Sequence, residues 1–112
     1  MTDWKHIQEW KRRHVDTMAK INWNKVPIHQ NSTEDTWDAT FHVCKAARKN
    51  GYLFACEVKM RNGRRADVII PEANMVVEIY DTESQESLDA KQEDYGYLMV
   101  RVDAHDWAID LF

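Results

Sequence analysis

The chain has 112 residues, of which 44% are hydrophobic and 30% charged, and it contains five Trp, four Tyr and three Phe. This size and composition predict one small globular domain and exclude wholesale disorder. No apolar run approaches the roughly 20 residues of a membrane span. Because the charged N-terminal segment also lacks an apolar signal core, we expect an intracellular protein, cytoplasmic or nucleoid-associated, without a membrane partner.

The two cysteines, Cys44 and Cys56, form no CxxC pair and have no neighbouring histidine cluster. Such spacing predicts neither a zinc site nor a disulfide scaffold. The five histidines show no ligand spacing either.

The formal net charge of −4 is unevenly distributed along the chain. Residues 1–71 carry thirteen Lys and Arg against eight Asp and Glu, whereas residues 72–112 carry two against eleven. This asymmetry is compatible with a nucleic-acid surface on the first part of the chain, and equally with an ordinary solvated charge pattern. It excludes a strongly basic protein with a broad, non-specific grip on DNA.

Apolar residues at helical spacing predict a first helix, capped by Asp3 and running to about Lys20. Its apolar face comprises Trp4, Ile7, Trp10, Val15 and Met18. We interpret this Trp-rich helix as a packing or homodimer element rather than a base-stacking platform. Residues 23–31 contain Pro27 and polar breakers, which indicate a connecting loop.

A second helix is predicted from Ser32 or Thr33, either of which suits an N-cap, to Asn50 just before Gly51. Its predicted buried stripe comprises Trp37, Phe41, Cys44 and Ala47.

After Gly51 the hydrophobic pattern changes to that of strands. The predicted elements are strands over 52–60, 64–70 and 75–80, a helix over 81–96, a strand over 97–104 and a short tail over 105–112 with a final helical turn. The third strand, the helix and the fourth strand form a crossover unit with parallel strands. We therefore expect an α/β domain in which a small mixed sheet of about four strands is flanked by helices.

Two acids lie inside otherwise apolar predicted strands, Asp67 in the second and Glu78 in the third. Burying a carboxylate among Val and Ile is costly unless something satisfies it. Two acids on neighbouring strands can do so by sharing a divalent cation, and hard oxygen ligands favour Mg²⁺ or Mn²⁺. The alternative is that each acid pairs with an arginine of the RNGRR run or meets water at a sheet edge.

Short motifs surround these acids in a recognisable order. A strand containing Glu57 precedes Arg65–Asp67, then come Glu78–Tyr80, a helix over Ser84–Tyr95 and a strand ending in Val100–Asp103. This order, over about residues 32–106, resembles the PD-(D/E)XK nuclease superfamily, and most closely its competence-protein (CoiA-like) and Vsr-like branch. The resemblance implies a restriction-endonuclease-like core over 31–112, preceded by an extra N-terminal helix and loop over 1–30, in a single domain. It also implies a divalent-metal-dependent DNA endonuclease.

The resemblance assigns the metal ligands to Asp67, Glu78 and the Ile79 carbonyl. The third signature position, normally a lysine that orients the attacking water, is Tyr80 in this chain. A tyrosine hydroxyl donates a hydrogen bond but carries no positive charge at neutral pH. Either the lysine role has moved, or the domain is a catalytically degenerate module that binds nucleic acid or a protein partner.

Two lysines are candidates for the displaced role. A two-residue Asn62-Gly63 turn would place Val58 opposite Asp67, which puts Lys59 on the other sheet face. Lys91 instead shares a predicted helix face with Leu88 and Tyr95, and we expect it to point to the sheet. Lys91 is therefore our candidate, against the alternative of an ordinary lysine with a buried stem.

Glu57 is the weakest acid of the set, placed either beside the site or simply on a strand face. The predicted nucleic-acid surface combines the cations of the hairpin with the cations near the end of the second helix. These residues are Lys59, Arg61, Arg64, Arg65, Lys45, Arg48 and Lys49. The hairpin cations could equally serve only to solvate the hairpin tip. The form of DNA bound is left open.

Overall fold

The computed structural model of the chain describes residues 2–27, 32–107 and 111–112. Its helices are α1 (Trp4–His14), α2 (Glu34–Lys49) and α3 (Gln85–Tyr95), and its strands are β1 (Ala55–Lys59), β2 (Arg65–Ile70), β3 (Met75–Tyr80) and β4 (Met99–Asp103). The predicted fold class and element order are confirmed. Parts of the predicted loop (28–31) and tail (108–110) lie outside the described residues.

The four strands form one mixed sheet in the order β1-β2-β3-β4. The β1/β2 and β2/β3 pairs are antiparallel, and β3 and β4 are parallel across the α3 crossover, as predicted. The β3 strand has a partner on each side, and its sequence, apolar apart from Glu78, suits a strand that is covered on both faces.

Helices cover both faces of the sheet. On one face, α1 and α3 bury Trp10, Leu88 and Tyr95 against the strands. On the other face, α2 contributes Ala39, Val43, Cys44 and Ala47. No helix in the described part of the chain has the length and apolarity that crossing a membrane requires.

The first helix is shorter than predicted, because α1 ends at His14 rather than near Lys20. Val15 adopts an extended backbone and pairs with Met60 in a β-bridge. This pairing gives the chain an alternative to continuing the helix, and it leaves Met18 86% exposed instead of buried.

The α1 helix is held to the turn between β2 and β3. The indole Nε1 of Trp10 donates a hydrogen bond of 2.8 Å to Asn74 Oδ1. The Asp3 N–H donates to Glu72 Oε2, and the other oxygen of that carboxylate accepts from the Leu53 N–H. The N-terminal helix therefore packs on the same core as the sheet.

The second helix has the predicted ends but a rotated buried face. Thr33 caps it by accepting a hydrogen bond from the Thr36 N–H, and Asn50 terminates it. Of the predicted stripe, Cys44 and Ala47 are buried, whereas Phe41 is exposed and Trp37 only half-buried. The small residues Ala39 and Val43 lie against the sheet instead, because they allow the helix to approach closely.

The predicted hairpin register is wrong by one residue. Val58 lies opposite Ala66, and Lys59 opposite Arg65. The loop has three residues rather than two, since Met60 and Arg64 close it and Asn62 Oδ1 accepts from the Arg64 N–H. Glu57, not Val58, is therefore the residue level with Asp67 in this register.

Candidate active site

The acidic pair lies where the ladder between β2 and β3 ends. Residues 68–70 pair with residues 75–77, and the next positions in this register are Asp67 and Glu78. There the side chains replace the ladder: the Asp67 N–H donates to Glu78 Oε2 at 2.9 Å, and the Ile79 N–H donates to Asp67 Oδ2 at 2.8 Å. The structure thus brings the two predicted acids together, each carboxylate anchored on the other strand.

The Glu78 carboxyl group is removed from water, and that of Asp67 is partly buried. The Glu78 side chain is 2% exposed, and its burial, followed by the neighbouring Asp67 charge, raises its pKa to about 8. Burial likewise raises the pKa of Asp67, although the hydrogen bond from the Ile79 N–H opposes this. At neutral pH the pair therefore retains a proton, since two adjacent buried carboxylates resist joint ionisation.

Lys91 stands beside this pair, as its helix face predicts. Its Nζ lies 3.9 Å from Glu78 Oε1 and 2.9 Å from Glu83 Oε1. Leu88 and Tyr95, which share its helix face, are buried. The Lys91 charge lowers the pKa of both acids, but less than burial raises it.

Tyr80 is partly buried against the residues that α1 and α3 cover. It follows Glu78 by two positions in β3, so both side chains leave the strand on the same face. Tyr80 and Lys91 therefore approach the same sheet face, one from β3 and the other from α3.

Glu57 lies on the other side of the pair. Its backbone is left-handed, with φ of 54°, which interrupts the regular alternation of β1. With Asp67, Thr36 and Thr40 it lines a cavity of about 110 Å³. Lys59 is exposed opposite Arg65, toward the hairpin tip.

Two buried donors near the acids lack a partner among the described residues, Trp37 Nε1 and Tyr95 Oη. Trp37 lines the same cavity as Asp67. Burial and then the Glu78 charge raise the pKa of Tyr95, which places its hydroxyl within the field of the pair. Unsatisfied buried donors mark places for a polar ligand or ordered water. The sequence signals for these two residues were the predicted buried stripe that contains Trp37 and the helix face that Tyr95 shares with Lys91.

The oxygen atoms here suit a hard cation. In an extended strand the N–H and C=O of a residue point to the same side, so the Ile79 carbonyl is directed toward Asp67 as its N–H is. The described residues contain no group of three or more His, Cys, Asp or Glu that could hold a metal. Mg²⁺ needs only one or two carboxylates because it keeps several waters, so the donors fit Mg²⁺ or Mn²⁺ but not a structural zinc.

The predicted nucleic-acid residues separate into two groups. Arg61 and Arg65 are exposed at the hairpin, and Arg64 Nε bonds Asp94 Oδ2 at 2.6 Å. Lys45, Arg48 and Lys49 belong to the C-terminal half of α2. Arg48 follows Trp37 by about three helical turns, or ~16 Å along the axis. The α2 cations therefore extend away from the acidic pair.

The two cysteines, free in this structure, lie side by side between α2 and β1. The Cys44 and Cys56 Sγ atoms are 3.8 Å apart, although the sequence spacing predicted no pairing. The hydrogen bond with Cys56, and then burial, raise the pKa of the Cys44 thiol. Cys56 is half-buried and lines the Asp67 cavity, so it is the thiol that an oxidant reaches first.

We expect diamide, a thiol oxidant, to form an intramolecular Cys44–Cys56 disulfide. Each thiol loses one hydrogen and the diazene bond of diamide takes up both, while the sulfurs approach to about 2.0 Å. Intact mass spectrometry should record the loss of two hydrogens and of both titratable thiols. The Cys56→Ser variant should show no loss of two hydrogens and should keep its remaining thiol titratable. A disulfide-linked dimer as the main wild-type product would contradict the expectation.

No family model, curated protein or solved structure matches this chain. The residues and their geometry therefore carry the functional argument.

Proposed function

We propose that the chain is a divalent-metal-dependent endonuclease that hydrolyses DNA phosphodiester bonds. The observation that carries this proposal is the interlocked pair Asp67–Glu78 at the end of an apolar ladder, with Glu78 buried and Lys91 Nζ 3.9 Å from it. Asp67, Glu78 and the Ile79 carbonyl would hold Mg²⁺ or Mn²⁺. When bound, the metal supplies an activated water and stabilises charge that develops on the phosphate.

The chain's own groups prepare the site for this chemistry. The backbone N–H groups of Asp67 and Ile79 hold the two carboxyl groups in place, so the side chains need little movement on metal binding, which displaces their shared proton. Lys91 places a positive charge where a phosphate oxygen approaches Glu78. The Tyr80 hydroxyl is a donor on the same strand face.

A catalytically degenerate nuclease-fold module that binds nucleic acid or a protein partner is the second candidate. Two observations favour it. Tyr80 replaces the signature lysine, and the Lys91 ammonium already pairs with Glu83 at 2.9 Å. In such a module the acids would remain as a proton-sharing pair within the sheet.

A cleavage assay separates the two candidates. We expect plasmid or branched DNA to be cut with Mg²⁺ or Mn²⁺ and to stay intact with chelator. Asp67→Asn, purified identically to exclude a contaminating nuclease, should lower the rate at least about 100-fold, the scale seen even for groups behind metal ligands. DNA binding without cleavage of any form by the wild type would support the module instead.

A further inference from the structure

The end of α1 and the hairpin form one surface. The Arg61 N–H donates to the His14 carbonyl at 2.9 Å, and Val15 pairs with Met60. These bonds place the basic last turn of α1 beside the basic hairpin. We call this surface the basic corner; its cations are Lys11, Arg12, Arg13, Arg61 and Arg64.

The acids of the basic corner do not cancel its charge. Its five cations outnumber the described acids near them, Glu9, Asp16, Glu83 and Asp94, in a chain whose net charge is −4. Glu9 pairs with both Arg12 and Arg13, at 2.6 and 3.3 Å, and all three side chains are about half exposed or more. Exposed pairs of this kind contribute little stability and exchange readily for a phosphate.

An exposed aromatic ring lies next to the basic corner. Tyr97, in the turn before β4, is 84% exposed. It lines two cavities, of about 540 and 280 Å³, and both are also lined by Arg13 and His14. The larger volume lies within the range of small-ligand sites and accommodates one nucleotide. A positively charged groove with an aromatic platform is the usual arrangement for an unpaired strand.

We infer that the basic corner and Tyr97 bind a single-stranded stretch of nucleic acid. A base stacks on the Tyr97 ring, and the flanking phosphates pair with Arg13 and Arg61. A base within a duplex cannot occupy this position, because both of its faces are already stacked. This inference rests on the proposed function. If the chain is a DNA endonuclease, its substrate is DNA with an unpaired segment.

The last turn of α3 connects this surface to the acidic pair. Asp94 and Tyr95 line the 280 Å³ cavity together with Arg61. Asp94 also bonds Arg64, and the Tyr95 hydroxyl lies in the field of Glu78. A strand that enters at Tyr97 therefore follows α3 toward Lys91 and Glu78.

Fluorescence anisotropy in chelator tests this inference without any cleavage. We expect a labelled oligo-dT strand to bind more tightly than the same length of duplex. Tyr97→Ala should weaken strand binding by about 5- to 100-fold, whereas Tyr97→Phe, which keeps the ring, should not. Arg13→Ala and Arg61→Ala should each reduce the slope of log affinity against log salt by about 0.7.

Three outcomes would overturn the inference. They are equal affinity for duplex and strand, unchanged binding by Tyr97→Ala, and equal competition by poly-glutamate, which would indicate a general polyanion surface. If thymidine monophosphate displaced the labelled strand at concentrations as low as unlabelled oligo-dT does, the surface would be a site for a free nucleotide instead. Because chelator is present throughout, loss of the proposed cleavage activity leaves this result unaffected.

Discussion

Lys91→Ala should lower the rate of metal-dependent DNA cleavage by about two to four orders of magnitude, the usual scale for one electrostatic or acid–base group. Lys91 is the cation 3.9 Å from Glu78, on the sheet face that Glu78 shares with Tyr80. DNA affinity should hardly change, because one lysine supplies little of the total phosphate contact. Single-turnover cleavage and anisotropy in chelator measure the two effects separately.

Two further variants make this result specific. Lys20→Ala removes an exposed lysine that is distant in sequence from Asp67 and Glu78, and this variant should cleave like the wild type. Tyr80→Lys in the Lys91→Ala background restores a cation on the Glu78 face and should recover part of the rate. Equal cleavage by wild type and Lys91→Ala would assign the role elsewhere, with Lys59 and Tyr80 the next residues to test.

Glu78 should make the free energy of unfolding fall as the pH rises from about 4.5 to about 8. The folded protein holds the Glu78 proton up to about pH 8, whereas the ordinary value in an unfolded chain is 4.5. Within this window the unfolded state releases the proton first, so rising pH favours unfolding. Glu78→Gln is neutral at every pH and should be the more stable protein near pH 8, by on the order of 2–5 kcal/mol.

Urea unfolding in chelator at several pH values from about 5 to 8 measures this difference. Near pH 5 the wild type and Glu78→Gln should agree within about 1 kcal/mol, since both side chains are neutral in the folded state and pH 5 is close to the unfolded value of 4.5. The exposed Glu93 in α3 offers a matched control, and Glu93→Gln should keep the wild-type pH profile. Parallel curves for wild type and Glu78→Gln would show that Glu78 ionises normally in the folded chain.

Local signals in the sequence were enough to predict the acidic pair and most elements. Polar caps and a following glycine predicted both ends of α2 and the C-terminal end of α3, and the hydrophobic pattern predicted β3 to the residue. The third helix begins at Gln85 rather than at residue 81. Asp67 and Glu78 stood out because a carboxylate among Val and Ile is costly. The spacing of Leu88, Lys91 and Tyr95 then placed the lysine on the correct helix face.

Errors arose where distant or side-chain contacts decide the backbone. The hairpin register depends on the Asn62 side chain, which bonds the Arg64 N–H and closes a loop of three residues. The end of α1 depends on the pairing of Val15 with Met60, forty-five positions later in the chain. Neither contact leaves a periodic trace in the sequence. The same pairing brings the cations of α1 beside the hairpin, and the predicted surface of hairpin and α2 cations did not include them.

The bond between Trp10 and Asn74 also bears on the order of events during synthesis. Its two residues are 64 positions apart, so α1 leaves the ribosome well before the turn that holds it. At about 5–20 residues per second, the helix waits roughly 3–13 s for its partner. Over that interval the apolar side chains Ile7 and Trp10, buried in the finished fold, are open to other chains. A nascent-chain chaperone that shields this segment should therefore raise the yield of folded protein more than one acting on the completed chain.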